Sequence, residues 1–195
     1  MEYFLANLDI GRKNSLVYDN RPFKDIQEHD FAIMKNWNDT VEEDDDVYIL
    51  GGISWLSKRE TVEYFQGLNG RKHLLRGGHD HILLREAEVR ACFVEIRDYK
   101  ELIVGHRGVV LSSSPILFFA NYRKGWYHFY GDLRKNYEEN AMRKFCEQIS
   151  DITGQPHNML NVGVMQEWMD YRPRTFEELE RKLQELYRKN RRKSA

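Results

Sequence analysis

An α/β fold is predicted for this chain, and three observations predict it. Short apolar runs of strand length alternate with stretches whose apolar residues recur at helical spacing. Two of the early runs stop at paired glycines, Gly51-Gly52 and Gly77-Gly78. The 195 residues are 41% hydrophobic and 13% aromatic, enough to bury a core without disulfide or metal staples.

The elements follow in order. Residues 3–8 read as an opening buried strand, and 11–22 as a polar, turn-rich stretch. A helix is expected over 25–38, where Ile26, Ile33, Met34 and Trp37 share a face. After an acidic turn, 47–50 is a continuous apolar run, as in a strand buried on both faces. Residues 57–67 suit a helix with Val62, Phe65 and Leu68 inward, and 72–76 a third strand. Strand-helix-strand-helix-strand argues for an α/β core. The middle changes character, with strand-like segments at 93–96, 101–104, 109–111 and 126–130. Residues 136–152 place Ala141, Phe145, Ile149 and Ile152 at helical spacing, and 161–164 is a short strand. Pro173, then Thr175 with Glu178 three residues on, form a capping box opening a last helix striped by Phe176, Leu179, Leu183, Leu186 and Tyr187. With no repeat or linker in view, 1–195 reads as one domain.

Composition excludes several classes. Thirty basic residues against 31 acidic, net charge -1, give no overall pull toward nucleic acid or membrane surfaces. Two cysteines, Cys92 and Cys146, make no disulfide framework and no Cys-x-x-Cys pair. The first residues turn polar too soon for a signal peptide, and no apolar run approaches the roughly 20 residues of a membrane span. A cytoplasmic protein is the expectation, with no membrane partner.

Four strand-end segments are where α/β proteins place chemistry. They are Asn7-Leu8-Asp9-Ile10-Gly11-Arg12, Leu50-Gly51-Gly52, Gly77-Gly78-His79-Asp80 and Tyr130-Gly131-Asp132-Leu133-Arg134. Their order and spacing resemble the calcineurin-like metallophosphoesterase family, in its small bacterial and phage form. Arg21-Pro22-Phe23, Asn36-Trp37-Asn38, Leu68-Asn69-Gly70, Asn161-Val162-Gly163-Val164 and Tyr171-Arg172-Pro173 are similar to its framework too. The resemblance implies two packed mixed β-sheets flanked by helices, the metallo-dependent phosphatase-like fold.

It also implies what is missing. That family holds two divalent cations, such as manganese, iron or zinc, through an Asp-x-His pair, a Gly-Asp, a Gly-Asn-His-Asp/Glu, a lone His and a Gly-His-x-His. The cations activate water and clamp phosphate. Here the matched positions are Asn7, Asp9, Gly52, Gly78, Ser113, Asp132 and Arg134. None keeps the family's ligand, and no metal cofactor is expected. Glycine offers no side-chain ligand, and Arg134 brings a cation to a cation site. Only His79 with Asp80 survives, a vestige of the family's catalytic histidine. Internal ion pairing is expected to stand in for the metals. Asp9 and Arg134 should meet, and Asp132 should find Arg12 or His79, since an unpaired buried carboxylate is costly.

Two functions follow. One is an inactive homologue that binds a protein partner or a phosphate-containing ligand. The other is a phosphohydrolase or phosphodiesterase with residual or altered metal-dependent activity. Asp9, His79, His81 and Asp132 are the candidates for a new mononuclear site, and Ser112-Ser113-Ser114 lacks a nucleophile elbow. A basic tail from about 188 (Arg188, Lys189, Arg191, Arg192, Lys193) reads as a solvated helix end or a nucleic-acid contact. The aromatic run Tyr122, Trp126, Tyr127, Phe129 and Tyr130 reads as strand packing or a partner surface.

Overall fold

The computed structural model describes residues 1–134 and 136–193, with side chains through Arg188. It is an α/β arrangement of two mixed sheets flanked by helices. In the first sheet, β1 (Glu2–Leu5), β2 (Asp46–Leu50), β3 (Arg71–Leu75) and β4 (Glu95–Arg97) run parallel, and β9 (Arg174–Thr175) lies antiparallel beside β1, in the order β4-β3-β2-β1-β9. In the second, β5 (Tyr99–Val104) is antiparallel to β6 (Arg107–Ser112), and β7 (Tyr127–Tyr130) and β8 (Met159–Asn161) continue parallel.

Strand alternation decides where side chains go. Val109 and Leu111 join the main core with Phe129 and Leu160, whereas Val110 joins Tyr130 and Met159 in a separate cluster. Phe4 stacks on Tyr48 and meets the edge of Phe129 at 5.2 Å, so the two sheets pack through these rings. Trp37 and Ile33 of α2 (Ile26–Asn38) and Phe65 of α3 (Lys58–Gln66) are fully buried. Both helices start at side-chain caps. Asp25 accepts from the Glu28 N–H, and Ser57 with Glu60 forms a capping box.

The last helix, α6 (Phe176–Lys193), begins at the expected Thr175–Glu178 box, with bonds of 2.9 and 3.3 Å. Its backbone runs on through the basic residues. The side chains of Lys189, Arg191, Arg192 and Lys193 lie outside the described residues. Among the described residues, no helix is long and apolar enough to cross a membrane.

Four local expectations change. The 11–22 stretch contains a short helix, α1 (Lys13–Tyr18). The first strand stops at Leu5, because Asn7 and Asp9 adopt positive φ of 55° and 51°. The β9 pairing is too short to leave a periodic signal. Finally, α5 (Tyr137–Thr153) is rotated from its apolar stripe. Its inward face carries Glu139, Met142 and Cys146, while Ala141, Phe145 and Ile152 are exposed. The cause is the buried Glu139 carboxylate, which accepts from Asn161 Nδ2 (2.7 Å), Tyr130 OH (3.2 Å) and Arg143 Nε (3.2 Å). Those bonds fix the helix's rotation against the weaker pull of its apolar residues. The aromatic run is largely packing: Phe129 and Tyr130 are buried, and the Tyr127 hydroxyl donates to Glu180.

Candidate functional site

The strand-end segments converge at the C-terminal ends of the parallel strands. There they line one cleft of about 200 Å³. Asn7, Asp9, Gly52, Gly78 and Ser113 are on its walls, together with Asp132, Arg134, Arg12 and His79. These nine positions therefore share one site, whereas His81, the further candidate, is exposed with its Nδ1 2.8 Å from the Gly78 carbonyl and does not line the cleft.

The loops that build it are held in unusual conformations. Asn7, Asp9 and Asp132 are non-glycine residues at positive φ, and Gly51 and Gly52 sit at 76° and 71°. Asparagine and aspartate tolerate this region better than other side-chain-bearing residues. A Cβ on Gly52 would lie 2.9 Å from the Asn7 Cα, so no side chain fits there without moving the first loop. Asp80 straps the glycine loops together, accepting from the N–H groups of Gly77 (2.7 Å), Ile53 (3.0 Å) and Gly52 (3.2 Å). Burial pushes the Asp80 carboxyl up, against the pull of those three donors.

The floor is a buried ion network. Asp9 Oδ2 accepts from Arg21 Nη2 (3.0 Å) and Arg134 Nη2 (3.1 Å), and its Oδ1 from Arg12 Nη1 (3.2 Å) and Trp55 Nε1 (3.3 Å). Asp19 Oδ2 accepts from Arg134 Nη1 (2.6 Å) and from Arg21 Nη2 and Nε (3.0 and 3.2 Å). Arg134 thus bridges two carboxylates with its two terminal nitrogens, a task suited to a planar fork. Arg21 is fully buried and also donates to the carbonyls of Asn7 and Leu8. Its Nη1 lies 2.7 Å from His29 Nε2. A guanidinium can only donate, so His29 Nε2 is the acceptor here and its Nδ1 faces Asp30 at 2.7 Å.

The expected Asp9–Arg134 contact is present. The expected partner of Asp132 is not. Asp132 is exposed and accepts from Ser114 Oγ at 2.9 Å, while Arg12 turns to Asp9 and lies over the Trp55 ring at 4.4 Å. Exposure removes the penalty that would have forced Asp132 onto a cation. Ser113 is no free nucleophile, because its Oγ donates to the Arg76 carbonyl at 2.9 Å. His79 makes no hydrogen bond among the described residues and rests against Trp55, with ring centroids 5.3 Å apart. Sequence reasoning missed Asp19, Arg21, His29 and Trp55. Arg21 stood in a quoted framework segment, and the need to balance a buried Asp9 was the signal that could have given it a role.

The positions that the resemblance marks for metals do not fit a pair of cations. Two are glycines, Ser113 is engaged, and Asp9 already accepts four hydrogen bonds. Among the described residues, no group of three or more His, Cys, Asp or Glu is arranged to hold a metal ion.

No family model matches the chain. It is 36% identical over 81 residues to the Uncharacterized protein MJ1445 of Methanocaldococcus jannaschii, 40% of this chain and 46% of that one. It is 36% identical over 90 residues to the Gene 66 protein of Mycobacterium phage L5, 44% and 43% of the two chains. To the Gene 66 protein of Mycobacterium phage D29 it is 29% identical over 128 residues, 58% and 63%. The chain spans about half the length of the first two relatives. In fold it is similar to the crystal structure of the protein of unknown function AQ665 from Aquifex aeolicus. The TM-score is 0.69 and the identity 22%, covering 93% of this chain and 98% of that one. At that identity the likeness speaks for the α/β two-sheet fold alone.

Proposed function

We propose that this chain is a calcineurin-like metallophosphoesterase scaffold whose dinuclear metal site has been replaced by an arginine–aspartate network. In this reading it acts by binding a protein partner or a phosphate-containing ligand in the cleft, without hydrolysis. The observation that carries the reading is Arg134, whose guanidinium joins Asp9 and Asp19 at a position the resemblance gives to a metal-binding histidine. The glycine at 52 supports it, since the bridging carboxylate has no room to return. The two unpaired cysteines suit a reducing, cytoplasmic setting.

The test is to dialyse the purified protein against manganese and then measure bound metal and hydrolysis of bis-p-nitrophenyl phosphate and p-nitrophenyl phosphate. Substoichiometric metal and no turnover above buffer are expected. Two metals per chain, or robust turnover, would restore a hydrolase with an altered metal arrangement.

A further inference from the structure

The fold leaves one helix face uncovered. Buried Glu139 turns α5 so that Ala141, Phe145, Gln148 and Ile152 are exposed, with Phe145 51% and Ile152 85% accessible. Their spacing of four, three and four residues is that of a heptad seam, the pattern through which two helices interlock. At 100° per residue all four fall on one face, opposite the buried Glu139 and Cys146. Single exposed apolar residues are ordinary on a protein surface. A seam of them along one helix, with Gln148 its one polar member, has the form of a helix-pairing face.

The flanking charges say which helix fits. Lys144 and Asp151 border the seam on the same side, seven residues apart. Both are exposed, and neither has a hydrogen bond or ion pair among the described residues. In a two-fold antiparallel pair each flank meets its own copy running the other way. Lys144 then comes opposite the partner's Asp151, and Asp151 opposite the partner's Lys144. The midpoint of the two charges falls between Glu147 and Gln148, one residue from the midpoint of the seam, so one axis centres both. A parallel pair would set this flank against the partner's Glu138 and the partner's Ile149, leaving Asp151 without a cation.

We propose that α5 is a self-association surface on which a second copy of this chain docks its own α5 antiparallel, with the seams interlocked and Lys144 paired with the partner's Asp151. Four seam residues and their flanks cover less than the roughly 800 Å² per partner of a standard interface, so the dimer is weak, with a Kd of about 10–100 µM. It uses no member of the buried ion network and stands apart from any ligand of the cleft.

Sedimentation equilibrium of the full chain over about 5–300 µM in low salt tests it. A monomer–dimer equilibrium is expected. Ile152→Ser should weaken it about tenfold or more, with the unfolding midpoint unchanged because the side chain is exposed. Lys144→Glu and Asp151→Lys each set like charges across the axis twice, and each should self-associate about tenfold more weakly. Mixed with one another, the two charge variants should pair about as tightly as the parent, since every contact across the axis then joins opposite charges. A parent chain that stays monomeric throughout overturns the proposal, whether or not it binds phosphatidylglycerol vesicles instead. A dimer that Ile152→Ser leaves unchanged overturns it too. So does a mixture of the charge variants that pairs no more tightly than either variant alone.

Discussion

The two ends of the first sheet both carry ion clusters, built to different rules. At the C-terminal ends lie Asp9 and Asp19 with Arg12, Arg21 and Arg134, the two carboxylates and Arg21 out of solvent. Near the N-terminal ends a ladder crosses the strands. His73, opposite Tyr48 and Glu95 in register, lies 2.8 Å from Asp46 and 3.0 Å from Glu95. Arg71 holds Asp46 through two bonds, and Lys100 reaches Glu95. The ladder is partly solvated, with Asp46 26% exposed. A solvated cluster can lose one member and let water replace it. A buried one cannot, because removing a partner leaves a charge without compensation. The cleft network is thus a device for fixing loop positions rather than a large source of net stability.

That contrast can be broken most forcefully at Arg21. Arg21→Met should destabilise the fold by roughly 3–5 kcal/mol in urea unfolding, since both carboxylates lose their buried cation. A loss under about 1 kcal/mol would mean that water reaches Asp9 and Asp19, and the two ends would then obey one rule.

A second effect belongs to neither end. His128 is buried, donates from Nδ1 to the Val110 carbonyl and accepts the Ile116 N–H on Nε2. Burial holds its pKa down to about 4. The unfolded chain takes up the proton first, so this stability is complete above about pH 6.5 and is lost as pH falls through about 4. The loss should reach about 3 kcal/mol. His128→Gln should flatten that part of the profile, whatever it costs at neutral pH.

Arg134→Met should cost less than Arg21→Met, about 2 kcal/mol, because Arg134 is 23% exposed and Arg21 stays on both carboxylates. An equal loss would put Arg134, not Arg21, at the centre of the network.

The ladder gives the smallest change. Arg71 holds the Asp46 carboxyl down to about 2, and Lys100 does the same for Glu95, also to about 2. These depressed values contribute stability above about pH 4 that is lost as pH falls through 2. Asp46→Asn should cost about 1 kcal/mol at pH 7, discounted for its exposure, and progressively less as pH falls toward and below 2. Molar salt should weaken the ladder and leave the cleft network nearly untouched.

The sequence made one end legible and left the other dark. Strand-end glycines and the family resemblance carried by Asn7, Asp9, Gly78, Asp132 and Arg134 brought the cleft together, and Arg134 on Asp9 followed because the resemblance gives both positions to one metal ion. Asp19 and Arg21 did not emerge, because a turn-rich stretch gives no periodicity to place a side chain. Asp132 was given the wrong partner because burial, which sets the need for a counterion, has no local sequence signal. The α5 rotation failed for the same reason: Glu139, a residue type rarely buried, overrides an apolar stripe only through Tyr130 and Asn161, which lie far along the chain or across a sheet. The ladder was invisible, since it depends on the register of three strands.

The most direct test of the central claim is a crystal structure of the protein grown in millimolar manganese, with anomalous data collected at the manganese edge. The account predicts Arg134 on Asp9 and Asp19 and no pair of anomalous peaks in the cleft. Two peaks a few ångströms apart between Asp9 and Asp132, with Arg134 swung into solvent, would contradict it.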